Sequence, residues 1–371
     1  MALRILHVVT AMNRGGLETW LMHVLRNIDR SQYAFDFLVQ VSYEGGFDRE
    51  IRERGALVIH CPPGRNLAAF AVAFAKALRN FGPYDIVHSH VHHFSGVVAL
   101  LSRMCGVKAV IAHSHNTPYG DRSKLSLLTR AYLMSMEGLM ARFAKLGLAC
   151  SHEAGVDLFQ NKWQKAETHR VLHCGLDFSR FDALKPRANA GGPKLLVHVG
   201  RFTPQKNQVF LVDVVAELAC ERSDFKLLFV GTGAQAAEVR ERAVARGVES
   251  LIAFLGDRDD VPEILFTSDV FLFPSKYEGL GLAFVEAQAA GLRCIVSEAV
   301  PREAVVIPDL VSQVPLNDGA EAWAEKIDAA LEAPATDRTR ALQIVKESSF
   351  SLANCIDGLG AVYNRLVQEA R

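Results

Sequence analysis

The stretch DVFLFPSKYEGLGLAFVEAQAAG, residues 269–291, combines three local patterns that together predict a fold class. Residues 269–274 form an apolar run that ends at Pro274, as expected of a buried strand. The segment 278–281 contains two glycines, which is typical of a turn, and an apolar helical pattern follows it. The order strand, turn, helix is the repeating unit of open α/β sheets, in which ligands bind beyond the carboxyl ends of the strands.

The same order recurs along the rest of the chain. The predicted strands cover 3–9, 34–40, 85–90, 109–114, 146–151, 194–200, 226–231, 269–274 and 293–297, and predicted helices include 18–30, 67–80, 207–221 and 235–246. This alternation predicts right-handed βαβ units and parallel sheets that are covered by helices on both faces. We therefore expect an α/β protein with two doubly wound, Rossmann-like domains that face a central cleft.

The length of 371 residues favours about two domains over a single core. The Pro- and Gly-containing segment 184–194 is the predicted linker between a first domain at 1–183 and a second domain at 195–354. The final amphipathic pattern at 355–371 is compatible with packing on either domain.

Composition narrows the class of protein. Lys plus Arg and Asp plus Glu both number 41, so the absence of net charge argues against a nucleic-acid-binding protein that relies on bulk electrostatics. The seven cysteines include no C-x-x-C pair, which favours a reducing compartment. No run of about 20 apolar residues is available to span a bilayer. We expect a soluble, cytoplasmic protein.

The turn after the first predicted strand contains Gly15 and Gly16, just before a helical pattern that begins near Glu18. Glycines at such a turn permit close approach of a ligand to the backbone, and a helix start favours an anion such as a phosphate. The spacing does not match G-x-G-x-x-G, so the fingerprint of a dinucleotide-binding oxidoreductase is absent. A plain tight turn is the alternative interpretation.

A second loop of this kind follows the strand at 194–200. Its cations, Arg201 and Lys206, suit a diphosphate because an Arg presents a planar fork and a Lys a point charge. The alternative is that both are ordinary solvated surface charges. Placement after Gly200, at the ligand-binding edge of the sheet, favours the binding interpretation.

Two carboxylates distinguish the stretch at 269–291. Glu286 lies among apolar residues, where burial without a partner is costly, and the vicinal hydroxyls of a ribose would supply partners. Glu278 lies eight positions earlier, in the glycine-containing turn. The alternatives are that Glu286 is exposed on an amphipathic helix and that Glu278 caps the helix start.

Histidines cluster in the first half, at the ends of two predicted strands: His88, His90, His92, His93, His113 and His115. Both groups should therefore line the rim of the cleft, although alternate residues of a strand point to opposite faces. A metal site needs three or four convergent ligands, which this clustering permits but does not require. We predict no metal.

These motifs together resemble the retaining glycosyltransferases of family 4, which have the GT-B architecture, and in particular their capsular or exopolysaccharide-synthesis branch. The resemblance covers nearly all of the chain. It rests on the two-glycine loop within 5–28, the histidine-bearing strand ends YDIVHSHVHH and AVIAHSHN, the loop HVGRFTPQKNQ and the paired glutamates within 274–297.

The resemblance implies roles for the residues of the second half. Arg201 and Lys206 would hold the diphosphate of a nucleotide-sugar donor. Glu286 would bind the ribose, and Glu278 would approach the transferred sugar. Backbone groups that face this sugar and its phosphates would come from Gly279, Leu280 and Gly281.

In the first half, the resemblance implies that the loop of Gly15 and Gly16 closes over the diphosphate. His115 would line the acceptor side, with His113 as the second choice. The chain departs from the family where CGLD stands at 174–177, because an Asn is frequent at the position of Cys174. A free thiol there is better explained as a small packing residue than as a nucleophile.

The implied reaction is transfer of a hexosyl group, with retention, from a nucleotide sugar to a hydroxyl of a glycan or lipid-linked acceptor. The implied donor is UDP-linked, and neither a cofactor nor a divalent metal is expected. Two rivals keep the architecture: a non-hydrolysing nucleotide-sugar epimerase and a non-catalytic nucleotide-sugar-binding protein. The basic, Leu- and Met-rich segment 122–147 is compatible with peripheral contact with an anionic membrane, and an ordinary domain helix that buries its apolar stripe is the favoured alternative.

Overall fold

The computed structural model describes residues 2–62, 66–117, 122, 125–160, 163, 168–184 and 192–369. The chain divides into two compact units, one of residues 1–175 and 352–371 and the other of residues 176–351. Each unit is an α/β domain around a parallel sheet, as the alternation of strand and helix patterns predicts.

In the first unit, the described residues form a seven-stranded sheet in the order β3-β2-β1-β4-β5-β6-β7. Its strands are β1 Leu3–Val9, β2 Tyr33–Val39, β3 Val58–His60, β4 Ile86–Ser89, β5 Ala109–Ser114, β6 Leu146–Ala149 and β7 His169–Val171. The helices between them are α1 Gly16–Asn27, α2 Asp48–Glu53, α3 Leu67–Phe81, α4 Ser95–Met104, α5 Leu127–Phe143 and α6 His152–Phe159. The reversal of strand order on either side of β1 is typical of doubly wound folds.

The described residues of the second unit form a six-stranded parallel sheet in the order β10-β9-β8-β11-β12-β13. Its strands are β8 Lys194–Val199, β9 Phe225–Val230, β10 Ile252–Gly256, β11 Val270–Phe273, β12 Arg293–Val296 and β13 Val311–Gln313. Its helices are α7 Ser179–Asp182, α8 Gln208–Glu221, α9 Ala236–Ala245, α10 Val261–Thr267, α11 Leu282–Ala289, α12 Gly319–Glu332 and α13 Arg338–Glu347.

The final helix, α14 Leu352–Gln368, belongs to the first unit. Its apolar stripe packs against α1, where the indole Nε1–H of Trp20 donates to Cys355 Sγ at 3.2 Å. Tyr363, on the same helix, is fully buried. The sequence pattern leaves the choice of domain open, and these buried contacts decide it.

The division between the units differs from the predicted one. The prediction assigned residues 176–183 to the first domain, whereas they lie in the second unit. Leu176 N–H donates to Phe350 O at 2.9 Å, and the ammonium of Lys346 contacts Asp182 at 2.9 Å, so this segment is bonded to the end of the second unit. Most of the predicted linker, residues 185–191 of 184–194, lies outside the described residues.

The strands that the sequence patterns did not predict are β3, β7, β10 and β13, and these are the edge strands of the two sheets. An edge strand has a neighbour on one side only, so it is shorter and less buried than a central one. β13, for example, has three residues, none of them fully buried. No apolar run therefore marks such strands, whereas β5 and β11 are buried throughout.

The topology of the second unit determines where its loops meet. β11 pairs in parallel with β8, so the carboxyl ends of these central strands lie side by side. The loop that follows β8 carries the predicted cations, and the loop that follows β11 carries Glu278.

Among the described residues, no helix combines the length and apolar character that crossing a bilayer requires.

Candidate functional site

Two loops of the second unit are held together by backbone and side-chain hydrogen bonds. Lys276 N–H donates to Gln205 O at 2.8 Å, and the side-chain amide of Gln205 donates to Tyr277 O at 2.9 Å. The loops of residues 200–207 and 274–281 therefore form one surface at the carboxyl end of the sheet, although about 70 residues separate them in sequence.

Lys206 and Glu278 form an ion pair across this surface. The ammonium Nζ lies 2.6 Å from Glu278 Oε1 and 4.6 Å from the centroid of the Phe273 ring. Glu278 is 6% exposed, whereas the Lys206 side chain keeps 18% of its surface. A charge pair with one buried member and one solvent-accessible member can present its cation to an incoming anion without exposing the carboxylate.

Arg201 supplies a second cation to the same loop. Its side chain is exposed, and its guanidinium makes no hydrogen bond or ion pair with any described residue. The backbone beneath it is anchored, because the side-chain amide of Gln208 donates to Arg201 O at 3.0 Å and Phe202 N–H donates to Thr232 O at 2.9 Å. An exposed Arg fork on a fixed backbone is well suited to bind a phosphate.

The turn between Glu278 and α11 requires glycine at one position. Gly281 precedes the helix with φ +83° and ψ 59°, a left-handed conformation that side-chain-bearing residues rarely adopt. A Cβ at this position would also lie 3.0 Å from Phe273 Cε1. Gly279 and Leu280 are buried beside it. The free N–H groups at the start of α11 face the carboxyl end of the sheet, where an anion is favoured.

Glu286 lies in α11, among the apolar residues of that helix. Its side chain keeps a minor exposed fraction, and its carboxylate makes no hydrogen bond with a described residue. Burial among protein atoms raises the pKa of Glu286 from 4.5 to about 7. Hydrogen bonds donated by a ligand would favour the ionised form of such a carboxyl group and lower its pKa.

In the first unit, Gly15 and Gly16 mark the start of α1. Gly15 is extended, with φ −148° and ψ 169°, and provides no side chain to cap the helix. Gly16 is exposed, and Gly15 O accepts a hydrogen bond from Thr19 N–H at 2.8 Å. The helix start therefore has no side-chain cap from Gly15, and anion binding at this loop stays a prediction.

Five histidines of the first unit form two hydrogen-bonded chains. In the first chain, His88 Nδ1 lies 2.9 Å from the hydroxyl of Tyr363, and His88 Nε2 lies 3.1 Å from His113 Nδ1. His113 is fully buried. Burial and neighbouring imidazoles hold the pKa of His88 and of His113 well below 6.5, so both rings are neutral at pH 7.

The second chain links β1 to the loop after β5. His90 Nε2 lies 3.0 Å from His7 Nδ1, and His90 Nδ1 lies 2.9 Å from His115 Nε2. His115 Nδ1 lies 3.6 Å from the thiol sulfur of Cys174. Burial lowers the pKa of His7 and of His115 to about 3, and Cys174 is itself buried with a raised pKa.

The prediction that the clustered histidines line a rim is wrong for most of them, because His88, His90, His93 and His113 are buried. The two chains are instead part of the core. His115, which directly follows β5, keeps partial exposure, whereas His113 keeps none. His7 and Tyr363 were not singled out in the sequence, because neither lies near the other histidines along the chain.

The predicted site residues thus fall into two sets. The second unit brings together the loops of Arg201, Lys206, Glu278 and Gly279–Gly281, with Glu286 on the helix that follows. Gly15, Gly16 and His115 belong to the first unit. Chemically, the second unit offers cations, helix-start N–H groups and two carboxylates of different environment, a combination that suits a phosphorylated, hydroxyl-rich ligand.

Comparison with known proteins gives a consistent assignment. The family model described as glycosyl transferases group 1 matches residues 180–346, and the glycosyl transferase 4-like domain matches residues 15–175. The putative glycosyltransferase EpsF of Bacillus subtilis (strain 168) is 32% identical over 371 residues, which cover 97% of this chain and 96% of that protein.

Two further relatives carry more specific names. The capsular polysaccharide biosynthesis glycosyltransferase CapH of Staphylococcus aureus is 28% identical over 77% of this chain and 78% of its own length. The UDP-Gal:alpha-D-GlcNAc-diphosphoundecaprenol alpha-1,3-galactosyltransferase of Escherichia coli is 28% identical over 58% of each chain.

The fold has close counterparts among solved structures. The crystal structure of HepE from Anabaena in complex with UDP and glucose superposes with a TM-score of 0.81, at 19% identity, over 98% of this chain and 100% of that one. At this identity the likeness concerns the fold.

Proposed function

The chain belongs to the family 4 glycosyltransferases with the GT-B architecture, and on this premise we propose that it transfers a hexosyl group from a UDP-linked sugar to a hydroxyl group with retention of anomeric configuration. The acceptor in this proposal is a glycan or a lipid-linked saccharide. The observation that carries it is the Lys206–Glu278 pair, 2.6 Å apart where the loops after β8 and β11 meet.

The donor diphosphate would bind to the cations of the loop after β8. Arg201 is exposed on an anchored backbone and supplies a bidentate fork, and Lys206 supplies a point charge beside it. The start of α11 would add backbone N–H donors. The nearby Glu278 is within reach of the transferred sugar, because its carboxylate already lies beside the ammonium that would contact the phosphate.

Glu286 would bind the ribose of the donor. A carboxylate accepts hydrogen bonds from two vicinal hydroxyl groups at once, which neither an amide nor a cation can do equally well. The pKa of about 7 fits this role, because bound hydroxyls would favour the ionised form of a carboxyl group that burial otherwise keeps protonated.

The identity of donor and acceptor is supported by the relatives. The E. coli relative is named for transfer from UDP-Gal to a diphosphoundecaprenol-linked GlcNAc, and the Anabaena structural neighbour is a complex with UDP and glucose. We extend the nucleotide and the lipid-linked acceptor class to this chain and leave the sugar itself open.

In the proposed mechanism, the acceptor oxygen attacks the anomeric carbon on the face from which the diphosphate leaves. The departing phosphate oxygen accepts the proton of the acceptor hydroxyl. The bond between the anomeric carbon and the phosphate oxygen is replaced by a bond to the acceptor oxygen on the same face, so the configuration is retained. Arg201 and Lys206 would stabilise the negative charge that develops on the leaving group, which is usually the largest electrostatic contribution to such a step. We propose that these cations replace a divalent metal at the diphosphate, and that no cofactor takes part.

Contact with an anionic membrane would bring a lipid-linked acceptor within reach. Helix α5 exposes Leu127 to 80%, Leu128 to 86% and Met134 to 69%, and the basic residues Arg130 and Arg142 lie on the same helix. Exposed apolar side chains beside Arg suit the interface of an anionic bilayer. The wild type should co-sediment with vesicles that contain an anionic lipid, and the double variant Leu127→Ser, Leu128→Ser should not.

The transfer reaction is tested by incubating the protein with UDP-sugars and undecaprenyl-diphosphate-linked saccharides, with and without acceptor, and with EDTA. We expect acceptor-dependent release of UDP and an α-linked product from an α-linked donor. An inverted product would contradict retention, and conversion of the donor without acceptor would identify an epimerase. Loss of activity in EDTA that one metal restores would contradict the metal-free diphosphate site.

A further inference from the structure

Three histidines of the first unit, of which His90 and His113 are buried and His115 is partly exposed, converge in a way that the proposed transfer reaction does not use. One ring nitrogen from each of His90, His113 and His115 lies within 4.8 Å of the other two. The ring centroids are 5.5 Å apart for His90 and His113, 5.1 Å for His90 and His115, and 4.0 Å for His113 and His115. Two nitrogens bound to one tetrahedral zinc ion at about 2.0–2.1 Å lie about 3.4 Å apart, so small movements would bring the rings into that arrangement.

The hydrogen bonds of the cluster leave His113 Nε2 without a partner among the described residues. His113 is fully buried, and its other nitrogen is 3.1 Å from His88. A buried ring nitrogen that lacks a hydrogen bond destabilises the folded state. The same nitrogen, with its lone pair available, is a good ligand for a divalent metal ion.

One nitrogen of each ring has a partner outside the group of three histidines. His113 Nδ1 contacts His88 Nε2. His90 Nε2 lies 3.0 Å from His7 Nδ1. His115 Nδ1 lies 3.6 Å from Cys174 Sγ. Histidines that bind a metal typically donate their second N–H to such a neighbour, which fixes the tautomer. Of the remaining nitrogens, His113 Nε2 has no partner among the described residues, whereas His90 Nδ1 and His115 Nε2 lie 2.9 Å apart in a hydrogen bond that a bound metal ion would replace.

We propose that His90, His113 and His115 bind a divalent transition-metal ion of the zinc class through these three nitrogens. His113 Nδ1–H would donate to His88 Nε2, His90 Nε2–H to His7 Nδ1, and His115 Nδ1–H to Cys174 Sγ. Neutral imidazoles without a thiolate or carboxylate ligand suit Zn²⁺, Cu²⁺ or Ni²⁺ rather than Mg²⁺ or Ca²⁺. Three protein ligands leave a fourth position for water or another small ligand.

These histidines belong to the first unit, whereas the cations and carboxylates of the proposed donor site belong to the second. The expected effect of metal binding is on the stability of the first unit, because a metal ion that binds only the folded state stabilises that state by mass action. Among the described residues, two other groups could hold a metal: His7, His88 and His90, which shares His90 with the proposed site, and Glu44, Asp48 and His60, which shares no residue with it and provides a matched control.

The test uses the full-length protein without a histidine tag, treated with a strong chelator and then titrated with Zn²⁺ alone. We expect about one zinc ion per chain by elemental analysis, and an increase in Tm of roughly 5–10 °C when Zn²⁺ is 100-fold above its Kd. His113→Gln should lose the zinc ion and the shift, whereas His60→Gln should keep both. Retention of zinc by His113→Gln, or its loss only in His60→Gln, would overturn the proposal.

Replacement of Zn²⁺ by Co²⁺ in the wild type provides a readout that does not depend on the folding of a variant. A tetrahedral site with three imidazole ligands should produce visible absorption bands that grow with Co²⁺ up to one equivalent and disappear when Zn²⁺ is added. If the wild type produces no such bands and its Tm does not respond to Zn²⁺, the cluster is a purely hydrogen-bonded part of the core.

Discussion

Lys206 Nζ lies 2.6 Å from Glu278 Oε1, although the two residues are 72 positions apart in sequence. The pair joins the loops that follow two neighbouring strands, β8 and β11. In the proposed function, this pair would contact the diphosphate of the donor through Lys206 and the transferred sugar through Glu278. Lys206 therefore stabilises the contact between the two loops in addition to its proposed role in the reaction. The exposed guanidinium of Arg201 makes no such contact with a described residue.

Replacement of either cation should lower turnover by at least ~10²-fold, judged from the loss when one transition-state hydrogen-bond donor is removed. The effects on stability should differ. Lys206→Ala removes the ammonium that faces the largely buried Glu278, so its Tm should fall, whereas Arg201→Ala should keep the wild-type Tm because the guanidinium is exposed. The measurements are steady-state kinetics and thermal unfolding.

The matched control for the two cations is Lys226→Ala, which removes an exposed Lys of β9 in the same unit. It should leave both the kinetics and the Tm unchanged. Near-normal kinetics in Arg201→Ala and in Lys206→Ala would remove these residues from the site.

The two glutamates should respond differently to substitution by Gln. If Glu286 binds the ribose, Glu286→Gln lowers the affinity for the free nucleotide and for the complete donor together. This loss of affinity increases KM. If Glu278 faces the reacting sugar, as proposed, Glu278→Gln should keep the affinity for UDP and lower kcat. Calorimetry with UDP beside steady-state kinetics would reveal the difference. Equal losses of UDP affinity in the two variants would argue against this division of roles.

The raised pKa of Glu286 predicts a dependence of stability on pH. Between pH 4.5 and about 7, the folded chain holds a proton on Glu286 that the unfolded chain has lost. The contribution of Glu286 to stability is therefore present at low pH and is lost as pH rises through this window. The difference in unfolding free energy between the wild type and Glu286→Gln, measured by denaturant at pH 5, 6, 7 and 8, should shift in favour of the variant as pH rises. A pH-independent difference would show that the pKa is not raised.

Loss of the hydroxyl of Tyr363 should destabilise the first unit without affecting the donor site. Tyr363→Phe removes the 2.9 Å partner of the buried His88 Nδ1, at a cost of roughly 1–3 kcal/mol. Tyr43→Phe is the control, because Tyr43 is 55% exposed and its loss should change stability by less than about 0.5 kcal/mol. UDP affinity should be unchanged in both variants. A stability of Tyr363→Phe equal to that of Tyr43→Phe would contradict the importance of the contact.

Much of the fold can be predicted from local sequence patterns. The interior strands β1 and β5 have the predicted bounds, 3–9 and 109–114. They are recognisable because a strand that is buried on both faces is a short, nearly continuous apolar run. The motif that contains Arg201 and Lys206, and the one that contains Glu278 and Glu286, are recognisable for a similar reason. Loops at the carboxyl ends of strands carry glycine, proline and charge at short, fixed spacings.

Other features depend on contacts between distant parts of the chain, and there the tertiary structure decided the outcome. The short edge strands have no apolar run that would predict them. The amphipathic pattern of α14 is compatible with packing on either domain, and the contacts of Cys355 with Trp20 and of Tyr363 with His88 show that it packs on the first unit. The histidines likewise form a buried cluster only because the order of strands places β1, β4 and β5 side by side. Local sequence determined which segments become strands, turns and helices, because backbone conformation and the burial of a face are set by residues a few positions apart. Which side chains become partners was decided by the tertiary structure, because hydrogen bonds and ion pairs form between groups that only the folded sheet brings together.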